Sequence, residues 1–379
     1  MHVILLPIAF CDTYEPLSSV FFEDQAKAIA GSGVKVNVIA VNTISLKNYF
    51  KKNLSHSCFR KVAFSPAIEV FRVQIPSLPK VRRWNDWVRL QCGKNLFKKY
   101  LRNHGKPDLL HVQVYQAGNL ALWIKEKYHI PFVVTEHSSY FNTGIVNPYD
   151  EKLAARVFGA SSGNISVSEQ GALNLSKRFG TEFTYIPNVV DTDFFLPSLN
   201  APAGHFVFLN IGSLIPVKNQ KMLIHSFSKA FQGDESYQLI IAGNGPEKNS
   251  IVRAIAGHHI GNQVSIMNKL SREEVLFHIQ NCSCLILPSL HETFGIVLIE
   301  ALSCGKPVIA TKCVGPLSII KNDQIGFLCE IDEDSISSAM VRASSERFDN
   351  VYLRNYAMEN FSSTFVGKRI KKFYEQIIE

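Results

Sequence analysis

Short apolar runs typical of buried strands alternate with segments of helical periodicity along most of this chain. In the first half these runs are Val3–Phe10, Val34–Val41, Leu109–Val114, Phe132–Thr135, Ile165–Ser168 and Phe183–Ile186. In the second half they are Phe206–Ile211, Gln238–Ala242, Val264–Met267, Cys284–Leu287 and Val308–Thr311. Such alternation builds parallel sheets with helices on both faces. It predicts an α/β fold of two doubly wound domains, whose mostly parallel sheets face a central cleft.

The length of 379 residues is enough for about two domains. The segment Leu196–Gly204, L-P-S-L-N-A-P-A-G, has the prolines, glycine and small residues of a linker. We predict an N-terminal domain at residues 1–196, a linker at 197–203 and a C-terminal domain at 204–355. Residues 356–379 are expected to form one or two helices that pack back on the N-terminal domain.

The composition describes a globular protein with ample core, at 46% hydrophobic and 19% charged residues. No apolar run reaches the ~18 residues that a membrane-spanning helix needs. The apolar start lacks a basic region before it, so it reads as a first strand instead of a signal peptide. The eight cysteines are scattered and show no zinc-type spacing, which favours reduced core residues in the cytoplasm.

The excess positive charge, formally +8, is concentrated in residues 80–106. The cations there are Lys80, Arg82, Arg83, Arg89, Lys94, Lys98, Lys99, Arg102 and Lys106, with Trp84, Trp87 and Phe97 between them and Asp86 as the acid. Two interpretations stay open: a solvated helix face, and a surface that meets anionic lipid headgroups at the inner face of a membrane. Nucleic acid is not expected as a partner, because no recognised binding motif accompanies the charge.

Two glutamates, Glu292 and Glu300, lie in H-E-T-F-G-I-V-L-I-E-A-L-S-C-G. Glu292 follows a strand-like run, whereas Glu300 lies within an apolar helical stretch and shares its stripe with Ile296, Val297 and Cys304. A carboxylate in such a stretch leaves water only if it gains a partner. One acid at a strand end and one on the next helix would frame a crevice for hydroxyl groups, such as those of sugars.

Other candidate ligand groups also follow strands, where open parallel sheets bind their ligands. Lys218 is expected in the first turn of a helix that starts near Val217, and there it opposes the helix dipole and indicates a nearby anion. The glycines of A-G-N-G-P (Ala242–Pro246) would let a ligand approach the backbone.

Three acid–base or polar candidates belong to the first half. His137 and Glu136 end a strand, where they would orient hydroxyls or act in acid–base work; a hydrogen-bonded loop histidine is the alternative. His111 is expected to be a satisfied core histidine. No metal site is predicted, because Asp191 and Asp193 read as a turn and no H-x-x-H spacing occurs.

Together, and in this order, these segments resemble the family-4 retaining glycosyltransferases of the GT-B architecture, which has two Rossmann-like domains. The resemblance covers nearly the whole chain. Its most specific part is E-T-F-G with E-A-L-S-C-G-K-P-V, supported by G-S-L-I-P-V-K-N, I-I-A-G-N-G-P, I-P-N-V-V-D and A-M-E-N-F-S. It implies a nucleotide diphosphate sugar as donor, with UDP or GDP as the nucleotide, and no further cofactor or metal.

The resemblance also implies roles for individual residues. Glu292, Lys218 and His137 would be catalytic: Glu292 holds the transferred sugar, Lys218 binds the diphosphate, and His137 lies by the acceptor and donor sugar. Glu300 would bind ribose hydroxyls. The remaining donor-binding candidates are Gly212, Ser213, Gly243, Asn244, Gly245, Asn268, Lys269, Leu270, Thr293, Phe294, Gly295, Ser18 and Ser19.

This chain departs from the family pattern at several positions. Ser213 stands where an arginine is usual, and Ser18 and Ser19 stand where a Gly-Gly loop is usual. Gln113 replaces a common second histidine, and Val189 and Val314 replace glycines. The expected function is retaining sugar transfer to a glycan or lipid-linked glycan, in bacterial surface polysaccharide synthesis. A nucleotide-sugar epimerase of the same fold and a non-catalytic nucleotide-sugar-binding partner remain alternatives.

Overall fold

The computed structural model describes residues 1–10, 20–46, 60–65, 68–79, 81–138, 140–142, 146–198 and 204–378. The strands are β1 (His2–Pro7), β2 (Lys35–Ser45), β3 (Arg60–Ser65), β4 (Ile68–Ser77), β5 (Leu109–Gln113), β6 (Phe132–Glu136), β7 (Gly163–Ser166), β8 (Phe183–Tyr185), β9 (Phe206–Ile211), β10 (Tyr237–Ala242), β11 (Val264–Met267), β12 (Cys284–Leu287), β13 (Val308–Thr311) and β14 (Gly326–Cys329).

The α-helices lie between and after these strands. They are α1 (Val20–Gly31), α2 (Arg82–His104), α3 (Gly118–Tyr128), α4 (Pro148–Ala160), α5 (Glu169–Phe179), α6 (Gln220–Phe231), α7 (Lys248–Gly257), α8 (Arg272–Asn281), α9 (Ile296–Ser303), α10 (Pro316–Ile319), α11 (Glu333–Ser345), α12 (Asn350–Phe361) and α13 (Ser363–Ile378). Within the described ranges, no helix combines the length and apolar character needed to cross a bilayer.

Internal contacts divide the chain into two compact units. The first contains Met1–Val167, Ala172–Val189 and Val366–Glu379, and the second contains Ser168–Gly171 and Val190–Phe365. Helix α12 therefore belongs to the second unit and most of α13 to the first. Most of the expected linker, residues 199–203, lies outside the described residues. The domain limits given by the sequence stay a prediction.

The first unit contains a sheet that is parallel except at one edge. Its described strands have the order β3-β4-β2-β1-β5-β6-β7-β8, and only the β3–β4 pair is antiparallel. Neither β3 nor β4 is among the predicted strands. In β4, polar residues such as Glu69 and Gln74 interrupt the apolar run. Side chains of β1, β5 and β6 are almost all buried, as expected for strands covered on both faces.

The second unit contains an all-parallel sheet of order β11-β10-β9-β12-β13-β14 in the described chain. Its core includes the fully buried Phe208, Leu223, Phe227, Ile241 and Ile286, so helix α6 is held against the sheet by apolar burial. The strand order reverses between β9 and β12, and such a reversal opens a crevice at the carboxyl ends of the two strands. The α/β prediction of two mostly parallel sheets is confirmed.

Candidate active site

The turn after β9 brings Lys218 to the carboxyl end of the second sheet. A short 3₁₀ turn at Pro216–Lys218 follows the strand, and α6 begins only at Gln220. The prediction of a helix start near Val217 is wrong, because Asn219 adopts a left-handed conformation, with φ 56°, that ends the turn before the helix. Lys218 therefore lies beside the helix start instead of inside its first turn.

Lys218 forms an ion pair with Glu292, which follows β12 on the other side of the strand reversal. The two side chains are 24% and 15% exposed, so the pair is largely withdrawn from water. The backbone joins the same two loops, since the Leu290 N–H donates to the Val217 carbonyl at 2.8 Å. The anion that Lys218 indicated in the sequence is, in this structure, a carboxylate of the same chain.

The loop that carries Glu292 packs against the segment that follows β13. The Gly315 N–H donates to the Glu292 carbonyl at 3.0 Å. A Cβ added to Gly315 would lie 2.4 Å from the backbone N of Phe294, so only glycine allows this approach. Phe294 is itself buried. The loop that ends with Thr293, Phe294 and Gly295 and precedes α9 is thus fixed by packing.

Three supporting residues of this loop are absent from the sequence-predicted site. Gly315 is one, although C-V-G-P after a strand was a visible signal. The others are Ser289, whose hydroxyl lies 3.5 Å from Glu292 Oε2, and Thr311, which donates to the Ser289 carbonyl at 2.5 Å. Serine and threonine in buried strand ends carry no motif that distinguishes them, so only the contacts reveal them.

The glycines of A-G-N-G-P serve close packing between two strand-end loops. A Cβ on Gly243 would lie 1.8 Å from the Gly212 carbonyl oxygen, and the Leu214 N–H donates to the Asn244 carbonyl at 3.0 Å. Gly212 in turn lies against the aliphatic part of Lys218. Gly212, Gly243 and Lys218 are therefore brought together, while Ser213, Asn244 and Gly245 are on the exposed side of these loops.

The remaining donor-binding candidates of the second unit lie on α9 and after β11. Glu300 is in α9, about one turn beyond its start, and its side chain is half-buried while Ile299 and Ala301 beside it are fully buried. Asn268 accepts a hydrogen bond from Lys248 Nζ at 2.8 Å. Lys269 is exposed and Leu270 is half-buried after β11.

His137 belongs to the first unit, at the carboxyl end of β6. Its Nε2 lies 2.6 Å from Gln113 Oε1, and its ring contacts Phe21 and Phe22 near the start of α1. Burial lowers the pKa of His137 to about 3, although a hydrogen bond with Asn188 opposes the shift. The imidazole is therefore neutral at physiological pH. Ser18 and Ser19, the other candidates of this unit, lie outside the described residues.

Glu136, at the end of β6, is buried among hydrogen-bond donors. It is 1% exposed, and its carboxylate accepts hydrogen bonds from the Ser138 hydroxyl at 2.6 Å, the Ser138 N–H at 2.8 Å and the Tyr115 N–H. Burial raises the pKa of Glu136, against the effect of these bonds. These hydrogen bonds join the loops that follow β5 and β6.

His111 is a core histidine, as predicted. It is fully buried, with Nδ1 2.5 Å from the Tyr374 hydroxyl and Nε2 2.6 Å from Thr135 Oγ1. Burial lowers its pKa to about 3, with a smaller effect from the nearby His137. Asp191 also behaves as predicted, since its Oδ1 accepts the N–H groups of Asp193 and Phe194 in a turn.

Family models match almost the whole chain in two parts. Residues 18–194 match the model of Glycosyltransferase Family 4, and residues 191–359 match the model of Glycosyl transferases group 1. The chain belongs to these glycosyltransferases, and its fold is GT-B.

Individual relatives are distant but extend over most of the chain. A Bacillus subtilis glycosyltransferase, TuaC, whose name provisionally assigns it to teichuronic acid biosynthesis, is 23% identical over 400 residues, which is 99% of this chain and 98% of that protein. The D-inositol 3-phosphate glycosyltransferase of Arthrobacter sp. strain FB24 is 22% identical over 335 residues, covering 82% and 77%. The structure of Anabaena Alr3699/HepE in complex with UDP-glucose superposes with a TM-score of 0.74 at 16% identity, covering 99% and 100%.

Proposed function

We propose that this protein transfers a sugar from a nucleotide diphosphate donor to a glycan or lipid-linked glycan, with retention at the anomeric carbon. The observation that carries the proposal is the Lys218–Glu292 pair at the strand reversal of the second sheet. A cation and a carboxylate in one crevice suit the two ends of such a donor: the diphosphate and the hydroxyl-bearing sugar. The HepE neighbour was solved with UDP-glucose, which supports a donor of this class.

The reaction needs a group that stabilises negative charge on the departing diphosphate. Lys218 is that group in the proposal, and it would exchange Glu292 for the diphosphate when the donor binds. Backbone N–H groups of Phe294 and Gly295, at the start of α9, would add to the same stabilisation. The charge would thereby be offset without a bound metal ion, and Glu292 would be released to hold the sugar hydroxyls.

Two further residues, one in each unit, have proposed roles in the reaction. Glu300 is half-buried on α9, where its carboxylate would bind the ribose hydroxyls. His137, neutral because of its lowered pKa, would hydrogen-bond the transferred sugar and would not act as a cation. The name of TuaC supports a role in surface polysaccharide synthesis. We propose that the protein works in the cytoplasm, at the inner face of the membrane, if its acceptor is lipid-linked.

A thermal-shift screen with UDP-, GDP-, ADP- and dTDP-sugars tests the donor site. A donor at a hundred times its Kd stabilises the folded protein by about 2.7 kcal/mol, which raises Tm measurably. The Glu300→Ala variant is expected to lose most of that rise. Glu359→Ala, an exposed carboxylate of the same unit, should keep it. No shift with any donor in the unmodified protein contradicts the site.

Product analysis by NMR with the best donor tests the chemistry. Retention predicts that the new glycosidic bond has the anomeric configuration of the donor. Conversion of the donor sugar without an acceptor would instead identify an epimerase, and binding without any turnover would identify a non-catalytic partner.

A further inference from the structure

Helix α2 carries an exposed stripe on the side opposite to its buried face. Its buried residues, Gly93, Leu96, Phe97 and Tyr100, face the core of the first unit. Residues of an α-helix three or four positions apart share a face. The stripe on the opposite side, which we call the Trp–Lys stripe, consists of the exposed Trp84, Trp87, Lys98 and Arg102 and of the half-buried Gln91 and Lys94 between them. From Trp84 to Arg102 it is about 27 Å long.

The apolar end of the Trp–Lys stripe is unusually exposed. Trp84 and Trp87 are 53% and 52% exposed, and their rings stack on each other with centroids 5.1 Å apart. Leu78 and Val81, just before the helix, are 38% and 45% exposed. A contiguous exposed set of large apolar residues marks an interaction surface, whereas single exposed ones do not.

This apolar end is rigid. The Asn85 side chain bonds both the N–H and the carbonyl of Leu78, at 3.0 and 2.8 Å. Arg82 forms a two-point ion pair with the buried Asp150. Asp86, the acid within this helix, is turned away from the stripe and accepts the Tyr149 hydroxyl at 2.9 Å. The tryptophans are thus presented on a fixed support instead of a mobile loop.

The other end of the Trp–Lys stripe is a cluster of cations. Lys94, Lys98 and Lys127 place their ammonium groups 5.2, 5.9 and 5.7 Å from the centre of the Trp123 ring. The described part of the chain contains no salt bridge to any of these three lysines. Like charges around one ring repel one another, so an external anionic surface would lower the free energy of the cluster.

We propose that the Trp–Lys stripe docks this protein on an anionic lipid bilayer. Trp84 and Trp87, with Leu78 and Val81, would enter the interface between headgroups and acyl chains, where tryptophan is favoured. Lys94, Lys98 and Arg102 would lie along the headgroups and attract anionic lipid. A nucleic acid would use the cations but would leave Leu78 and Val81 without a role. The inference rests on the proposed place of work at the inner face of a membrane and names the surface that would bind there. Because this binding needs no sugar donor, its failure can be distinguished from a failure of the donor site.

Flotation of the full chain with vesicles tests this docking surface without donor or acceptor. Binding is expected with phosphatidylglycerol–phosphatidylcholine vesicles and not with phosphatidylcholine alone. Lys94→Gln with Lys98→Gln should lower the partition coefficient by about thirtyfold, from about 1 kcal/mol for each lysine. Lys368→Gln with Lys372→Gln, which removes two exposed lysines of α13 in the same unit, should lower it far less.

The tryptophans are tested in the same way. Trp84→Ala with Trp87→Ala should reduce binding by at least about tenfold, while Phe277→Ala, a 59% exposed aromatic of the second unit, should not. In a Trp123→Phe variant the emission comes from Trp84 and Trp87 alone, and vesicles should shift it to shorter wavelength. Equal binding to both vesicle types, equal effects of target and control variants, or an unshifted emission would overturn the proposal.

Discussion

Lys218 shows how one residue can balance its charge before a ligand arrives. Its ammonium group is largely buried and contacts the carboxylate of Glu292. A buried charge without a partner is costly, so the pair keeps the crevice ordered in the absence of donor. A diphosphate carries more charge than one carboxylate and can replace it. The Lys218–Glu292 contact would then order the free site and give way to the diphosphate when the donor binds.

Replacement of this lysine gives the first prediction. Lys218→Ala is expected to lower kcat by roughly one to three orders of magnitude, the range for loss of an electrostatic stabiliser. Steady-state kinetics with the donor found by thermal shift would measure it. Lys221→Ala is a matched control, because Lys221 pairs at 2.9 Å with Glu247, which directly precedes α7. Similar losses of kcat in both variants would mean that the loss follows from removing one positive charge anywhere in this region, and not from the position of Lys218.

Gly315 gives a second prediction, for the packing of the loop that carries Glu292. Gly315→Ala places a methyl group against the backbone of Phe294, so the loop with Glu292 must move. Overpacking of this kind costs about 1–3 kcal/mol of stability, and we expect the KM for donor to rise as well. Gly257→Ala, which meets nothing within 4 Å, should leave both unchanged. Wild-type values of KM and stability in Gly315→Ala would show that the loop is not held by this contact.

The lowered pKa of His137 gives a third prediction. Its folded pKa is about 3 and its ordinary value is 6.5. Between pH 6.5 and about 3 the histidine is protonated in the unfolded chain but neutral in the folded protein. Folding stability is therefore lost as pH falls below about 6.5. The histidine contributes up to about 1.4 kcal/mol for each pH unit. Denaturant unfolding at pH 7.5 and 5.5 should show a smaller pH difference for His137→Gln; an unchanged difference would contradict the shift.

At the scale of elements, helix α13 is joined to the central strand β5 of the first unit. The Tyr374 hydroxyl contacts His111 within the core, and the backbone of Gly367 lies against the Ala28 carbonyl of α1. Both partners of the hydrogen bond are fully buried. The last helix of the chain is therefore an integral part of the first unit.

Loss of that single hydroxyl gives a fourth prediction. Tyr374→Phe leaves His111 Nδ1 buried without its partner, which costs about 1–3 kcal/mol. The free energy of unfolding measured with denaturant should fall by that amount. Tyr352→Phe, at an exposed position of α12, should have little effect. Equal stability of Tyr374→Phe and the unmodified protein would mean that water or another group replaces the hydroxyl.

At the scale of the whole molecule, the two units divide the work of the proposed reaction. The second contains Lys218, Glu292 and Glu300, and the first contains His137. Donor recognition should accordingly be seen mainly in the second unit.

Hydrogen exchange gives the fifth prediction. Saturating donor is expected to slow amide exchange at residues 212–218 and 292–300, because binding orders those loops. Strands β3 and β4, at the edge of the first sheet, serve as an internal control and should not change. Protection confined to the first unit would place the donor elsewhere.

The sequence by itself determined the elements and the chemistry they could carry. The strand–helix alternation predicts both sheets, and the spacing of Glu292 and Glu300 indicates the proposed site, because periodicity and motifs can be read from neighbouring residues alone. It does not predict β3, β4 or β14. Nor does it predict the late start of α6, where Asn219 adopts a left-handed conformation.

Only the tertiary structure decided which residues meet. Lys218 and Glu292 are 74 positions apart, and their contact depends on the strand order that sets β9 beside β12. The tertiary structure likewise decided that Gly315 packs against Phe294 and that Glu136 is buried. It also decided that Trp84 and Trp87 are exposed on α2. Contacts between distant segments arise from packing of the whole sheet, which no local pattern of residues encodes.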